Sequence, residues 1–209
     1  MTEPVPSPSL LWRVLLIGGS SGVGKTTVSR IVAGQSHAAL AQADDFRLVL
    51  QRTAAPPSLS TPSVRTASPE ARCEAWIEAA RFISAALQIV VAFHVASDAP
   101  IILEGDTILP ELVACRRPVG VPVATHVHGA ILAAESEAVL WRNACARGRG
   151  FDAMSPADQR AEVRRNWLYS QWLVCEAARF GLPVVPVSCT DTASAVAARV
   201  AAAARPAQP

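Results

Sequence analysis

Residues Gly19-Ser20-Ser21-Gly22-Val23-Gly24-Lys25-Thr26 satisfy every constrained position of G-x-x-x-x-G-K-[ST]. Each constrained residue type has a task directed at phosphate. Glycine lets backbone N–H groups turn inward and approach phosphate oxygens. Lys25 offers a compact point charge to the β- and γ-phosphates, and the Thr26 hydroxyl suits Mg2+. A helix opening at Lys25, with Thr27 in its first turn, adds positive potential at its N-terminus. Residues Gly19 through Thr27 are therefore expected to bind a nucleoside triphosphate. The chain carries eighteen arginines and a single lysine, Lys25. Under a codon bias against lysine, a surviving lysine marks a place where a planar guanidinium does not fit, as between phosphates.

Acidic residues stand at two further positions of interest. Asp44 and Asp45 follow the apolar stretch Leu40–Ala43. One carboxylate there would accept the proton of an attacking hydroxyl, and the other would bind Mg2+ through water. Capping a helix that starts near Phe46 is the other role open to the pair. Ile101-Ile102-Leu103-Glu104 is an apolar run ending in a carboxylate. It has the form of a Walker B strand and puts Glu104 in the Mg2+ shell. Gly105 and Asp106 turn toward the same place, and the division of roles between Glu104 and Asp106 stays open.

Arginines supply the remaining charge. Arg142, Arg147, Arg149, Arg160, Arg164 and Arg165 face only Asp152, Asp158 and Glu162 in that stretch. Arginines on a mobile segment can close over phosphates and exclude water, and Arg147 and Arg149 are the first choices for that role. A solvated charged helix is the alternative. Arg47 and Arg52 follow the aspartate pair and are placed to hold an anionic acceptor, or else are surface charge. His126 and His128 would point the same way on a strand, but no third metal ligand accompanies them. A structural role is expected for both.

The elements that must position these residues follow from pattern. Arg13–Ile17 reads as a buried strand, 18–24 as a glycine-rich turn and Lys25–Gln35 as a helix. Leu40–Ala43 is a strand of weak signal. Ser68 caps a helix from Pro69 to about Ala96. Further strands are expected at Pro100–Leu103, Pro122–Val127 and Pro183–Val187, and helices at Glu135–Ala146, about 156–180 and Asp191–Ala204. Strands alternating with helices predict an α/β fold: a three-layer, mostly parallel five-stranded sheet with helices on both faces and a lid segment. Such sheets bind ligands beyond the carboxyl ends of their strands. Residues 1–10 read as a disordered lead and 11–206 as one domain, with an acceptor-binding insert at about 47–97 and a lid at about 142–165.

The 209 residues suit one domain, and the formal charge of +2 gives no argument for nucleic acid or a membrane surface. Cys73, Cys115, Cys145, Cys175 and Cys189 form no CxxC pair, so neither a disulfide framework nor a zinc site is indicated. Ile83–Ala96 is shorter than the roughly 20 residues that span a bilayer. A cytoplasmic protein is expected.

The order glycine-rich loop, QADDFR, IILEGD, Arg-rich segment resembles the small-molecule P-loop kinases. ADDF is similar to the Asp-Asp-Phe element of uridine-kinase-like and nicotinamide-riboside-kinase-like proteins, whose first Asp is the proposed base. That resemblance implies the role for Asp44. DDFRLVLQR and IILEGDTILPEL are similar to the 2-phosphoglycerate kinase group, in which Asp then Arg follow the second strand and Glu-Gly-x-x-x-x-Pro follows the third. Here that element runs from Glu104 to Pro110. The resemblance implies ATP and Mg2+ as cofactors. It also implies phosphoryl transfer to a hydroxyl of a small-molecule acceptor, with Arg47, Arg52 and Asp106 on the acceptor side. Two other readings are an ATP-binding regulator and a zeta-toxin-like nucleotide-sugar kinase. A Ras-like switch would need an N-K-x-D motif, which a chain whose one lysine lies in the phosphate loop lacks.

Overall fold

The structure is a computed structural model and describes residues 11–53, 67–123, 125–148 and 150–204. The expected lead at 1–10 lies outside these residues, as does Arg149.

Six uninterrupted aliphatic or glycine positions make Val14–Gly19 (β1) a strand that can be buried on both faces, and all of its residues are buried. It is the central strand of a five-stranded sheet ordered β2-β3-β1-β4-β5. Its neighbours are Ile101–Gly105 (β3) and Val127–Ala134 (β4). Ala39–Gln42 (β2) and Val184–Val187 (β5) form the edges. Every pairing is parallel, so all five carboxyl ends lie on one side.

Alternation along β1 sends successive side chains to opposite layers. Leu15 and Ile17 pack with Val28 and Val32 of Lys25–Ser36 (α1), with Val139 and Leu140 of Glu137–Arg147 (α5), and with Val196 and Val200 of Ala193–Ala203 (α7). Val14 and Leu16 pack with Ile83, Leu87 and Val91 of Pro69–Ala96 (α3). Tyr169 and Leu173 of Pro156–Arg179 (α6) join α3 through Cys73 and Ala80. Ser68, Ser155 and Thr192 cap α3, α6 and α7, each side-chain oxygen accepting from a first-turn backbone N–H. Two short elements, Pro110–Ala114 (α4) and a 3-10 turn at Pro118–Gly120, link β3 to β4.

The sheet and its two helical layers match the expected architecture, and the parallel order is complete rather than partial. Three expectations need correction. The fourth strand runs Val127–Ala134, not Pro122–Val127. β4 lies between β1 and β5 and needs a full ladder, which Pro122 would interrupt by lacking an N–H. The helix expected near Phe46 starts three residues earlier, at Ala43. β2 stops at Gln42, and Ala43–Thr53 (α2) begins at once, so Asp44 and Asp45 lie in the first turn of a helix, where the dipole favours carboxylates. The histidines do not share one strand. His126 precedes β4 and His128 is its second residue, at the amino side of the sheet.

Candidate functional site: a phosphate-loop cleft

The turn from β1 into α1 carries Gly22 at φ 85° and Gly24 at φ 101°, backbone that an L side chain rarely adopts. Val23, 1% exposed, anchors the loop to the core. The loop is also tied from outside the motif: Asn143 of α5 donates from Nδ2 to the Gly22 carbonyl at 2.8 Å.

Two side-chain pairs join this loop to the end of β3. Thr26 Oγ1 donates to Glu104 Oε1 at 2.7 Å. Lys25 Nζ donates to the Ser20 carbonyl at 3.0 Å and is ion-paired with the Asp106 carboxylate. Register explains the proximity: Gly18 of β1 sits opposite Gly105 of β3, so the residues flanking both glycines meet at one strand end. Lys25 and Glu104 are buried, at 7% and 3% exposed, and each has a partner of complementary kind.

These groups open onto a cleft of about 440 Å3. Ser21 through Thr27, Asp44, Glu104, Asp106 and Arg147 all line it, together with Gln42, Arg142, Asn143 and Asp191. Gly19 and Ser20 form the base of the loop and do not line it. Asp45 is exposed and absent from the cleft wall, and Arg52 is exposed near the end of α2. Arg160 is exposed, and Arg164 pairs with Glu137 at 2.6 Å on the molecule's surface, so neither faces the cleft. No group of three or more potential metal-ligating His, Cys, Asp or Glu residues occurs among the described residues.

Asp191 holds the rim contributed by the chain after β5. It accepts from the Ser188 backbone N–H at 2.8 Å and from Arg199 at 2.8 and 2.9 Å. The Arg199 guanidinium, with that N–H, holds its carboxyl far below the usual carboxylate range. Arg142 donates to the Cys189 carbonyl in the same rim.

Beside Asp44 lies a group that sequence reading did not assemble. Arg47 of α2 donates to Asp44 Oδ1 at 3.1 Å, and its guanidinium lies 6.0 Å from the Trp76 ring centroid. Arg165 of α6 lies 5.6 Å from the same ring. Arg72 of α3 and Arg165 share one carboxylate, Glu162, at 2.6 and 2.5 Å. Two arginines thus flank one tryptophan, a third joins them through Glu162, and the group holds two carboxylates, Asp44 and Glu162. The Nε of Arg72 is buried without a hydrogen-bond partner. Tyr169, fully buried, donates from its hydroxyl to the Asp106 carbonyl and ties this group to the chain that follows β3. Burial pushes its phenol well above the usual range, so it remains a donor. Asn143, Arg72, Glu162 and Tyr169 belong to no local motif. Only the fold brings them to the cleft and its flank.

The central β1, the glycine-rich turn into α1 and the order β2-β3-β1-β4-β5 decide the architecture. The fold is that of the P-loop small-molecule kinases. The chain is similar to a gluconokinase from Sinorhizobium meliloti 1021, with TM-score 0.51 and 15% identity over 91% of this chain and 90% of that one. A sugar kinase from Janibacter sp. HTCC2649 aligns with TM-score 0.46 and 15% identity over 90% and 91% of the two chains. Shikimate kinase from Acinetobacter baumannii aligns with TM-score 0.47 and 11% identity over 89% and 88%. At 15% identity the likeness to the gluconokinase is one of fold alone. No protein-family model matches the chain, and no curated protein matches it in sequence.

Proposed function

We propose that this protein transfers the γ-phosphoryl group of ATP to a hydroxyl of a small anionic acceptor. One observation carries the reading. Lys25 with Thr26 and Glu104, a phosphate-binding set, opens onto the same cleft as Asp44, a carboxylate already oriented by an arginine.

The Thr26 hydroxyl and Glu104 carboxylate are hard oxygen donors 2.7 Å apart, a pair that fits Mg2+. Bound there, Mg2+ would neutralise charge on the β- and γ-phosphates. Loop amides and Lys25 hold the phosphates, and Lys25 must exchange Asp106 for them. Asp44 accepts the acceptor's hydroxyl proton as that oxygen bonds to the γ-phosphorus. The bond from phosphorus to the β–γ bridging oxygen breaks, and ADP leaves with its new charge beside Lys25. Arg147, exposed on the cleft wall, is placed to cover the transferring group, and Arg149 is proposed to act with it.

The anionic character of the acceptor follows from Arg47, Arg72 and Arg165. A cluster with more guanidinium than carboxylate suits a carboxylate or phosphate. A coupled ADP-release assay over hydroxy acids and phosphorylated acids, with neutral sugars and nucleosides as comparison, tests this. Anionic hydroxy compounds are expected to turn over, with Asp44→Asn abolishing most of the rate. Slow hydrolysis with every acceptor would sink the proposal of transfer. Preference for neutral acceptors would sink only the assignment of charge.

A further inference from the structure

Helix α3 has 28 residues and is apolar far beyond what its buried face requires. Its most apolar 18-residue window is only 33% buried, although Ile83, Leu87 and Val91 pack into the core. The outward face explains the difference. Phe82, Ile89 and Phe93 are 38%, 62% and 65% exposed, and Ala85 and Ala96 are exposed with them. Spacings of three, four and seven put all five on one stripe. No Asp, Glu, Lys or Arg occurs from Phe82 to Ser97.

The stripe is self-complementary. Two copies of α3 laid antiparallel about a two-fold axis at Ile89 pair each position with its mirror in sequence. Ile89 then meets Ile89, each Phe93 covers Ala85 of the other copy, and each Phe82 covers Ala96. Large side chains face small ones throughout, which is the arrangement that lets helices interdigitate. A two-fold interface requires this reciprocity, residue i on j and j on i. Charge at the ends is satisfied within each copy, Arg81 over the Trp172 ring and Asp98 paired with Arg13, which leaves the contact to the apolar stripe. A lipid surface fits less well, because Glu74 and Glu78 are exposed farther along the same face and repel anionic headgroups.

We propose that the carboxyl-terminal half of α3 is a homodimer interface, with two antiparallel helices crossing at Ile89. The contact is about 21 Å long from the helical rise. It covers on the order of 400 Å2 per copy, below the roughly 800 Å2 of a standard interface, so the dimer is a weak one that dissociates on dilution. The inference is independent of the catalytic reading.

The full chain is measured by sedimentation velocity from about 1 to about 300 μM, a range that brackets weak association. Ala85→Glu and Phe93→Arg are each expected to give monomer at every concentration, with thermal midpoint and nucleotide affinity unchanged. The double variant is expected to restore the dimer, because opposite charges then face each other between copies. Within one helix these positions are about 12 Å apart, too far to pair. Wild-type monomer at all concentrations overturns the proposal, whether or not the protein sediments with vesicles of anionic and zwitterionic phospholipid. A dimer indifferent to both single variants overturns it by placing the interface elsewhere. Loss without restoration in the double variant overturns the antiparallel register.

Discussion

At the residue scale, the proposed reading requires Lys25 to change partners when a nucleotide binds. Its ammonium is held by Asp106 and the Ser20 carbonyl, so a triphosphate must displace the aspartate. Asp106→Asn removes that competitor and its repulsion of phosphate. ATP should bind about five- to tenfold more tightly, roughly 1 kcal/mol, by isothermal titration. Weaker binding would show instead that Asp106 helps to hold the nucleotide. Asp44→Asn keeps the shape but loses the proposed proton acceptor, so kcat should fall by about 10²-fold or more while ATP affinity stays within about threefold. The phosphate loop was legible because its signal is contiguous: eight residues suffice. The pairs Lys25–Asp106 and Thr26–Glu104 span 81 and 78 positions, and no local pattern announces them. Asp45 and Arg52 carry the right charge for a site, and α2 leaves both exposed.

At the element scale, contact between backbones sets the geometry. A Cβ on Gly105 would lie 2.6 Å from the Cβ of Ala43, the first residue of α2. Gly105→Ala should therefore destabilise by about 1–3 kcal/mol, read from the urea midpoint, and should displace Asp44 with the helix that carries it. An unchanged midpoint would mean that α2 yields freely. Asn143→Ala removes the tie from α5 to the loop. It should cost about 1 kcal/mol of nucleotide binding, a several-fold rise in Kd, with little change in thermal midpoint. Strand and helix order could be read because aliphatic runs and caps are strong local signals. The fourth strand was displaced in the reading because Gly129, Ala130, Ala133 and Ala134 have poor strand propensity. They are strand residues because β1 and β5 flank them.

At the scale of the whole molecule, the parallel sheet separates chemistry from structure. The cleft lies at the carboxyl ends of the strands and His128 at the amino side. Burial, with smaller contributions from Arg116 and His126, holds the His128 pKa below its ordinary 6.5. The unfolded chain takes up that proton near 6.5 and the folded chain does so only at lower pH. His128 thus favours the fold fully above about 6.5, and that support declines as pH falls below it. The thermal midpoint should drop between pH 7 and pH 5, and His128→Gln should flatten the slope. A variant with the wild-type slope would assign it to another group. The same economy of lysine that singled out the phosphate loop has a practical side. Acylating reagents will meet two amines in this polypeptide, the α-amino group and Lys25, and the second is 7% exposed and already engaged. Brief acylation should therefore stop at the α-amino group, and a second acyl group in the intact mass reports, with no introduced label, that Lys25 has left its partners.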